Sequence, residues 1–305
     1  MVRLVLDRLL HTLLSLFAVT LLTFALVRLT GDPVLAILPM DASQQDYLKL
    51  RAQLGLDQPV AFQYVSYLRQ LIVGNLGYSY TTREPVTAII AERFPVTLYL
   101  GIAALMIVFG VGVPVGLYSA YWQGGWLDRV GKFTAVVGQS VPQFWLGLIL
   151  ILVFAVRLGW LPAGGYGGLG YLTLPAITMA WTATAGIMRL MRSSTLEVLN
   201  SDYIRFSRIK GVPERAVLWK HALRNAALPV LTLGGVVTAD LITGSIVTET
   251  VFAWPGLGQL IINSIHSRDF PVIQGLVLTF CAIFIATNLM VDLVYVSMSP
   301  RLHAK

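Results

Sequence analysis

Six runs of about 20 mostly apolar residues limit the folds available to this chain more than any other feature. The runs lie at about 9–28, 96–120, 133–156, 173–191, 228–248 and 273–297. Because about 20 apolar residues in a helix cross the hydrocarbon core of a bilayer, each run is predicted to be a transmembrane helix. Charged residues make up only 12% of the chain, whereas soluble domains carry about 25%. The sequence therefore predicts an all-α membrane protein with six transmembrane helices.

Prolines and a glycine pair lie inside these runs. Pro114, Pro142 and Pro175 each remove a backbone hydrogen bond and can kink a helix. Such kinks suit a pathway that opens and closes, but ordinary membrane helices also tolerate prolines. Gly112 and Gly116 form a G-x-x-x-G pair that can let two helices approach closely.

The distribution of Lys and Arg predicts the orientation of the chain. With a cytoplasmic N-terminus, fourteen of the 22 Lys and Arg residues lie on the cytoplasmic side. Most of the others lie in one long outer loop, which counts weakly in the positive-inside rule. Both termini are therefore predicted to be cytoplasmic. The net charge of +7 is attributed to topology and not to nucleic-acid binding.

The chain is predicted to have three parts. Residues 1–28 form a cytoplasmic N-terminus and the first transmembrane helix, since the run is long for a signal peptide and no small-residue cleavage site follows it. Residues 29–95 form a folded extracytoplasmic segment with short surface helices, the first ended by Gly55. This segment either docks an external partner or passively caps the membrane domain. Residues 96–305 form the core, with helices two to six and a cytoplasmic loop at about 192–227.

The loop before the fifth run, SDYIRFSRIKGVPERAVLWKHALRNAALP, carries six Lys and Arg residues among helix-boundary signals. Asn200 and Ser201 are candidates for a helix N-cap. Gly211 fits the position that follows a helix, and Pro213 fits the first position of the next helix. The loop is therefore predicted to be a helix, a glycine turn and a second helix.

The first loop helix has an aromatic face with a basic rim. Tyr203, Phe206 and Lys210 recur at helical spacing, and Ile209 lies beside them. A short helix of this kind can insert into a groove on another protein. The alternative is that the basic residues only set the topology, although this would not explain the helix boundaries or the aromatic face.

Polar residues inside and beside the runs are further candidates for function. A carboxylate at membrane depth usually faces protein or water, so Asp240 is a candidate for the transport pathway, with Gln139, Ser140 and Asn288 as weaker ones. Asp292 lies near the cytoplasmic end of its run and is expected to make a structural hydrogen bond. On the outer loop after the fifth run, the candidates for contact with an external protein are Glu249, Trp254 and Arg268. Trp254 could instead anchor the chain at the membrane interface.

No pattern in the sequence indicates an enzymatic activity. Gly131-Lys132 is followed by Phe133 and lacks the first glycine of a phosphate-binding loop, so the chain is not expected to hydrolyse ATP. The four His residues are scattered without metal-ligand spacing, and the one cysteine, Cys281, excludes an intrachain disulfide. We therefore expect no catalytic residue, no metal site and no cofactor in this chain.

The cytoplasmic loop resembles the EAA loop of ABC importer permeases of the dipeptide, oligopeptide, nickel and glutathione group. That motif runs approximately DYxRxARAKGxxxxxVxxxHxxRNAxxP. The matching residues are Asp202, Tyr203, Arg205, Arg208, Lys210, Gly211, Val217, His221, Arg224, Asn225, Ala226 and Pro229. The chain departs from the motif at Phe206, Ser207 and Ile209, where the family has small residues.

The resemblance extends over nearly the whole chain, to the B-type subunit of that group. It is carried by GDP (31–33), LGLDQP (54–59), GNLGYS (74–79), RFPVTLYL (93–100), LGWLPAGG (158–165), GSIVTETVFAWPGLG (244–258), RDFPVIQG (268–275) and NLMVDLVYVSMSPR (288–301). A match of this length and order is far more specific than one motif.

The resemblance implies an importer permease in a bacterial inner membrane, driven by ATP and supplied by a binding protein. The implied partners are a homologous second permease subunit, two cytoplasmic ATPase subunits that hold ATP and Mg, and an extracytoplasmic substrate-binding protein. The residues implied in coupling to the ATPase are Tyr203, Arg205, Phe206, Ser207, Lys210 and Gly211. The cargo stays open among dipeptides, oligopeptides, glutathione and nickel complexes.

Two other classes of protein are weighed against this interpretation. The first is an ATP-independent secondary transporter or channel that works as a homodimer. Reconstituted transport separates it from the importer, because it would depend on an ion gradient instead of an ATPase. The second is an intramembrane enzyme, which is disfavoured because no His cluster, Ser/Lys pair or carboxylate pair has usable spacing.

Overall fold

The computed structural model describes residues 2–30, 34, 38, 42–244 and 246–298, with side chains described at 14–29, 34, 38, 42–244 and 246–290. In this part of the chain the structure is helical, and its β-structure is one isolated antiparallel bridge between Tyr78 and Pro85. The helices are α1 (Val2–Thr30), α2 (Gln44–Gln53), α3 (Val60–Ile72), α4 (Val86–Tyr121), α5 (Trp126–Ser140), α6 (Gln143–Leu150), α7 (Leu169–Leu199), α8 (Asp202–Ile209), α9 (Glu214–Ala216), α10 (Leu223–Thr243), α11 (Ile246–Val251), α12 (Leu257–His266) and α13 (Phe270–Met298). Two π-helical segments, Ile151–Arg157 and Val217–Ala222, continue α6 and α9.

The helices form two compact units. The first unit comprises Met1–Val96 and Gly256–Ile285, and the second comprises Thr97–Pro255 and Ala286–Lys305. The core of the first unit takes pairs of apolar residues, four apart, from three helices, because that spacing places both on one helix face. The pairs are Val86 and Ile90, Leu257 and Ile261, and Val272 and Leu276.

The helix α2 in the first unit is bounded by local hydrogen bonds. Ser43 accepts from the Asp46 N–H while the Asp46 carboxylate accepts from the Ser43 N–H, which forms a capping box. The Ser43 hydroxyl also donates to the Asp46 carboxylate at 2.7 Å, and this hydrogen bond, together with the one from the Ser43 N–H, lowers the pKa of the Asp46 carboxyl group. Gly55 follows the helix with φ of +64°, so the prediction that Gly55 ends this helix is confirmed.

In the second unit, α7 is the central helix, and α5, α6 and α10 pack against it. The α4 residues Gly112 and Gly116 lie directly against α7. A Cβ atom added to Gly116 would lie 2.5 Å from the carbonyl oxygen of Met188, so no larger residue fits there. The close approach predicted from the G-x-x-x-G pair is thus confirmed.

The third predicted run, 133–156, is not one straight helix. It is divided between α5 and α6, whose axes are bent by 108°. Val141 is extended, with ψ of 121°, because a residue before proline is disfavoured in the helical conformation. By contrast, α7 continues through Pro175 without a break.

Length and composition alone identify fewer spans than the six that the sequence predicts. Among the described residues, three helical stretches are long and apolar enough to cross a membrane, or four if the bent α5–α6 pair is one span. They are Val86–Tyr121, Glu214–Val251 and Phe270–Met290. The described apolar part of α1 is the shorter stretch Leu14–Leu29. The count of six therefore stays a prediction, as does the side of the membrane on which residues 29–95 lie.

Candidate functional site

The predicted loop helix is α8, and its end is a complete Schellman motif. Ser201 is the N-cap, and Gly211 follows the helix with φ of +77°. The Gly211 N–H donates to the Arg208 carbonyl at 2.9 Å, and the Val212 N–H donates to the Ser207 carbonyl at 3.2 Å. The helix–glycine–helix prediction is confirmed, except that Pro213 is the N-cap of α9 and not its first residue.

One face of α8 is fixed to the segment that leads into α10. Ile204 is fully buried. The Tyr203 hydroxyl accepts from Asn225 Nδ2 at 2.7 Å and donates to the His221 carbonyl at 3.3 Å. Neither Ile204 nor Asn225 is predicted from the sequence to be an anchor. Ile204 could have been recognised because it is an apolar residue between Tyr203 and Arg205, at a position that an amphipathic helix buries.

An exposed ion pair spans the glycine turn between α8 and α9. Arg208 Nε lies 2.8 Å from Glu214 Oε1, and Arg208 Nη2 lies 3.3 Å from Glu214 Oε2. This two-pronged geometry is the one that an Arg–carboxylate pair favours. Because both side chains are partly exposed, the pair contributes at most about 1 kcal/mol, so the turn depends mainly on Gly211.

The other face of α8 is uncovered in this chain. Phe206 and Ile209 are 63% and 79% exposed, and Arg205 and Lys210 are exposed beside them. Two other residues implied in coupling are hydrogen-bonded within this chain. Tyr203 is partly exposed on this face, but its hydroxyl is bonded to Asn225 and His221. The Ser207 hydroxyl donates to the Tyr203 carbonyl at 2.8 Å. The structure thus presents an aromatic and aliphatic surface with a basic edge, as expected from the sequence.

A groove in the second unit contains one of the predicted pathway residues. Gln139 Oε1 accepts from Arg189 Nη1 at 2.8 Å. Both side chains line a groove of about 390 Å³, together with Thr182, Ala183, Gly186, Leu190, Ser193, Leu233 and Val237. The groove is therefore lined by both polar and apolar side chains.

The other predicted pathway residues are not brought together with Gln139 in this groove. Ser140 donates to the Val136 carbonyl of its own helix at 2.9 Å. Asp240 is exposed one turn beyond Val237 on the same face of α10, and Asn288 is half-buried on α13. Asp292 lies outside the residues whose side chains are described.

Two of the three residues predicted to contact an external protein are buried instead. Glu249 and Trp254 are fully buried. Glu249 accepts from the Thr97 hydroxyl at 2.9 Å, and Trp254 stacks on Tyr99 with ring centroids 6.5 Å apart. Neither side chain offers a surface to a partner in this conformation, so that expectation is wrong for both. Arg268 is exposed, with φ of +54°.

A buried carboxylate that is not predicted from the sequence organises the loop before α4. Asp269 accepts from the Ser79 hydroxyl, and from the N–H groups of Tyr80 at 3.1 Å and Thr81 at 3.2 Å. Burial raises the pKa of Tyr80 to about 12. The matched segments GNLGYS and RDFPVIQG contain Ser79 and Asp269, but no local pattern shows that they meet.

A second missed carboxylate, Asp128, joins three helices of the second unit. It is fully buried and lies 2.6 Å from Arg192 Nε and 2.9 Å from Lys132 Nζ. It also accepts from the Ser119 hydroxyl at 2.8 Å and the Gly124 N–H at 2.9 Å. Since every partner is a donor, the charge is compensated and α4, α5 and α7 are held together.

Comparison with known proteins decides the family. Residues 112–304 match the family described as binding-protein-dependent transport system inner membrane component, and residues 1–101 match its N-terminal companion. The chain belongs to this permease family. Among the described residues of the permease, no group of His, Cys, Asp and Glu is arranged to hold a metal ion.

Named relatives of the permease match over their full length. The chain is 42% identical over 306 residues to the glutathione transport system permease protein GsiC of Salmonella choleraesuis (strain SC-B67), and equally to GsiC of Escherichia coli (strain K12). In both cases the match covers 100% of each chain. These relatives are permease subunits, so this permease is a membrane component of an ABC importer and not an enzyme.

A solved structure shares the fold of the permease. It shows inward-facing conformations of the MetNI methionine ABC transporter in the CY5 native crystal form. The TM-score is 0.59 at 19% identity, and the match covers 70% of this chain and 97% of that chain. The likeness supports an ABC importer permease fold, and the inner-membrane location follows from the family match.

Proposed function

We propose that this permease component carries glutathione, or a small peptide of similar size, into the cell, and that α8 couples this transport to ATP hydrolysis on a partner. The full-length identity of 42% to glutathione permeases supports the cargo. The observation that carries the coupling role is that α8 is fixed to α10 on one face and uncovered on the other.

The uncovered face has the chemistry of a docking helix. Phe206 and Ile209 are large apolar side chains that this chain leaves mostly exposed on a helix of eight residues. An amphipathic helix of this kind binds by laying its apolar residues in a groove. The basic residues Arg205 and Lys210 at its edge favour a groove with an acidic rim.

The fixed face provides a mechanical connection. Force applied to α8 reaches α10 through the hydrogen bonds of Tyr203 to Asn225 and His221, while buried Ile204 holds α8 against the rest of the unit. Because α10 packs along α7, a displacement of α8 is transmitted to the helices that line the groove at Gln139. A rigid connection of this kind is what alternating access requires.

The proposed assembly contains this chain, a homologous second permease subunit, two cytoplasmic ATPase subunits and an extracytoplasmic binding protein. ATP and Mg are held by the ATPase subunits. Both termini and α8 lie in the cytoplasm, and residues 29–95 lie on the outer side. Cargo passes Gln139, with Ser140, Asp240 and Asn288 as further pathway residues, and Arg268 is the remaining candidate for contact with the binding protein.

Cysteine crosslinking tests the docking of α8. In a Cys281→Ala background, the Phe206→Cys variant is expected to crosslink to the ATPase subunit in the assembled transporter. Val130→Cys is the matched control, since Val130 is also an exposed apolar helical residue but lies on α5. Labelling of both cysteines without any crosslink from position 206 would contradict the docking of α8.

Reconstituted uptake tests the function and the cargo. Proteoliposomes that contain the full assembly are expected to take up labelled glutathione only with ATP and the binding protein. Uptake of an added dipeptide in its place would change the cargo and keep the importer. Uptake driven by an ion gradient without the ATPase would instead support the homodimeric secondary transporter.

A further inference from the structure

The helix α3, in the segment expected to lie outside the membrane, packs against the outer part of α1. Phe24 of α1 stacks on Tyr67 with ring centroids 5.9 Å apart and lies 5.3 Å from the ring of Tyr64. One turn deeper, the Thr20 hydroxyl lies 3.0 Å from the Tyr64 hydroxyl. These contacts lock the position of α3 along α1.

The contacts set the depth of α3. Phe24 lies six residues before Thr30, the last residue of α1. At a rise of about 1.5 Å per residue, α3 crosses α1 about 9 Å below its end. The predicted apolar run of α1 ends at about residue 28, so α3 lies roughly one turn inside it. That is the level at which interfacial helices lie, about 5–10 Å into the boundary between head groups and acyl chains.

The sequence of α3 divides it into three faces. Tyr64 and Tyr67 face α1. A polar face carries Gln63, Ser66 and Gln70, which line a cavity of about 700 Å³. A third face is apolar and carries residues at spacings of four, three and four, as one stripe of a helix requires. The stripe consists of Ala61, Val65, Leu68 and Ile72.

Within the described chain this stripe is exposed at Ala61, Val65 and Ile72, whereas Leu68 is half-buried. Val65 is 46% exposed and Ile72 is 85% exposed. Arg69 lies between the stripe and the polar face, and it lines a shallow groove of about 400 Å³ with Ala61 and Val65. An arginine in this position can place its apolar stem along acyl chains while its guanidinium group reaches the head groups.

We propose that α3 is an interfacial membrane helix whose Ala61–Val65–Leu68–Ile72 stripe contacts the acyl chains of the outer leaflet. Its depth against α1, its apolar stripe and its polar opposite face all favour lipid over water as the medium around it. Part of residues 29–95 therefore lies in the membrane, and α3 attaches the rest of the segment to the bilayer surface. The proposal depends on α1 being the first transmembrane helix and is independent of the cargo.

Spin-label accessibility in lipid nanodiscs tests this proposal. Single cysteines are introduced at Val65 and Ile72 in a Cys281→Ala background, and the labelled permease is assembled with its partner subunits. Ser66→Cys is the matched control, because Ser66 follows Val65 in the sequence but lies on the polar face of α3. Leu22→Cys is the lipid reference, because Leu22 is exposed on α1. Collision rates with oxygen, which concentrates in lipid, and with a water-soluble nickel chelate are then measured.

The expected result is that labels at positions 65, 72 and 22 collide mainly with oxygen, whereas the label at position 66 collides mainly with the nickel chelate. Mainly chelate collisions at 65 and 72 would overturn the proposal in favour of an aqueous helix. Protection from both reagents would overturn it in favour of a protein partner on the stripe. Chelate access at position 22 would overturn the placement of α1 on which the proposal depends.

Discussion

Replacing Gly211 is the most direct test of how α8 is positioned. Gly211 has φ of +77°, and both hydrogen bonds of the Schellman motif depend on that conformation. A Cβ atom added at Gly211 would have no heavy atom within 4 Å. The effect of Gly211→Val therefore comes from backbone strain alone and not from a steric clash with a neighbour.

The strain can be estimated from the backbone. A left-handed conformation costs an L-residue roughly 1–2 kcal/mol, and a β-branched side chain lies at the upper end of this range or above it. A change of this size reduces the population of the native turn by a factor of about 5–30. Asparagine adopts the left-handed conformation more readily, so Gly211→Asn is expected to retain most of the wild-type behaviour.

The measurement is the amount of cargo imported per ATP hydrolysed in proteoliposomes that contain the full assembly. Gly211→Val is expected to lower both transport and the ATPase activity stimulated by the binding protein, while Gly211→Asn changes them little. Gly74→Val is the matched control, since Gly74 ends α3 with φ of +74° and also has no atom near an added Cβ. It carries the same strain outside the loop.

Two results would refute the coupling role of the turn. The first is that Gly211→Val transports and hydrolyses ATP at wild-type rates while present at wild-type levels. The second is that Gly74→Val lowers the transport-to-hydrolysis ratio as much as Gly211→Val, because the loss would then reflect general strain in the protein.

Three further predictions concern buried carboxylates and a helix cap. Asp128→Asn removes the buried negative charge that faces Arg192, 19% exposed, and Lys132, 54% exposed. The loss of these charge-assisted hydrogen bonds is expected to cost about 1.5–3 kcal/mol, seen as a fall in Tm, whereas Asp202→Asn in an exposed pair should change Tm little; equal shifts would contradict this. Asp269→Ala leaves three hydrogen-bond donors without their acceptor, which costs about 1–3 kcal/mol of stability for each donor that stays buried. Hydrogen exchange at residues 79–81 is therefore expected to become faster. The control Asp57→Ala, at an exposed site, should leave that exchange unchanged. Ser43→Ala should cost α2 about 1 kcal/mol. Because hydrogen bonds from Ser43 lower the pKa of the Asp46 carboxyl group, wild-type α2 should keep its protection from exchange above the ordinary Asp pKa of about 3.9 and lose it progressively as the pH falls below that value. Protection that is independent of pH in the wild type would contradict the role of the cap.

Boundaries of short helices could be predicted because they depend on neighbouring residues only. Ser201 at the start of α8 and Gly211 after it were both legible in the sequence, as was Gly55 after α2. Each of these residues acts on backbone groups within about five residues of itself, either by a hydrogen bond or by adopting the conformation that ends a helix. The exposed face of α8 could be predicted for the same reason, since helical spacing alone places Phe206 and Lys210 on one side.

The course of the longer apolar runs was only partly predictable. Pro142 separates two helices bent by 108°, whereas Pro175 lies inside a continuous helix. Both prolines remove one hydrogen bond. Whether the chain then turns depends on the helices packed around it, and composition does not contain that information.

The sequence by itself determined the helical membrane class, the positions of the apolar runs, the caps of the loop helix and the resemblance to importer permeases. Only the tertiary structure decided which polar residues are buried. Asp128, Glu249 and Asp269 meet partners that are 64, 152 and 190 residues away along the chain. The physical reason is that a carboxylate can be buried only where donors compensate it, and packing brings those donors from distant helices and loops.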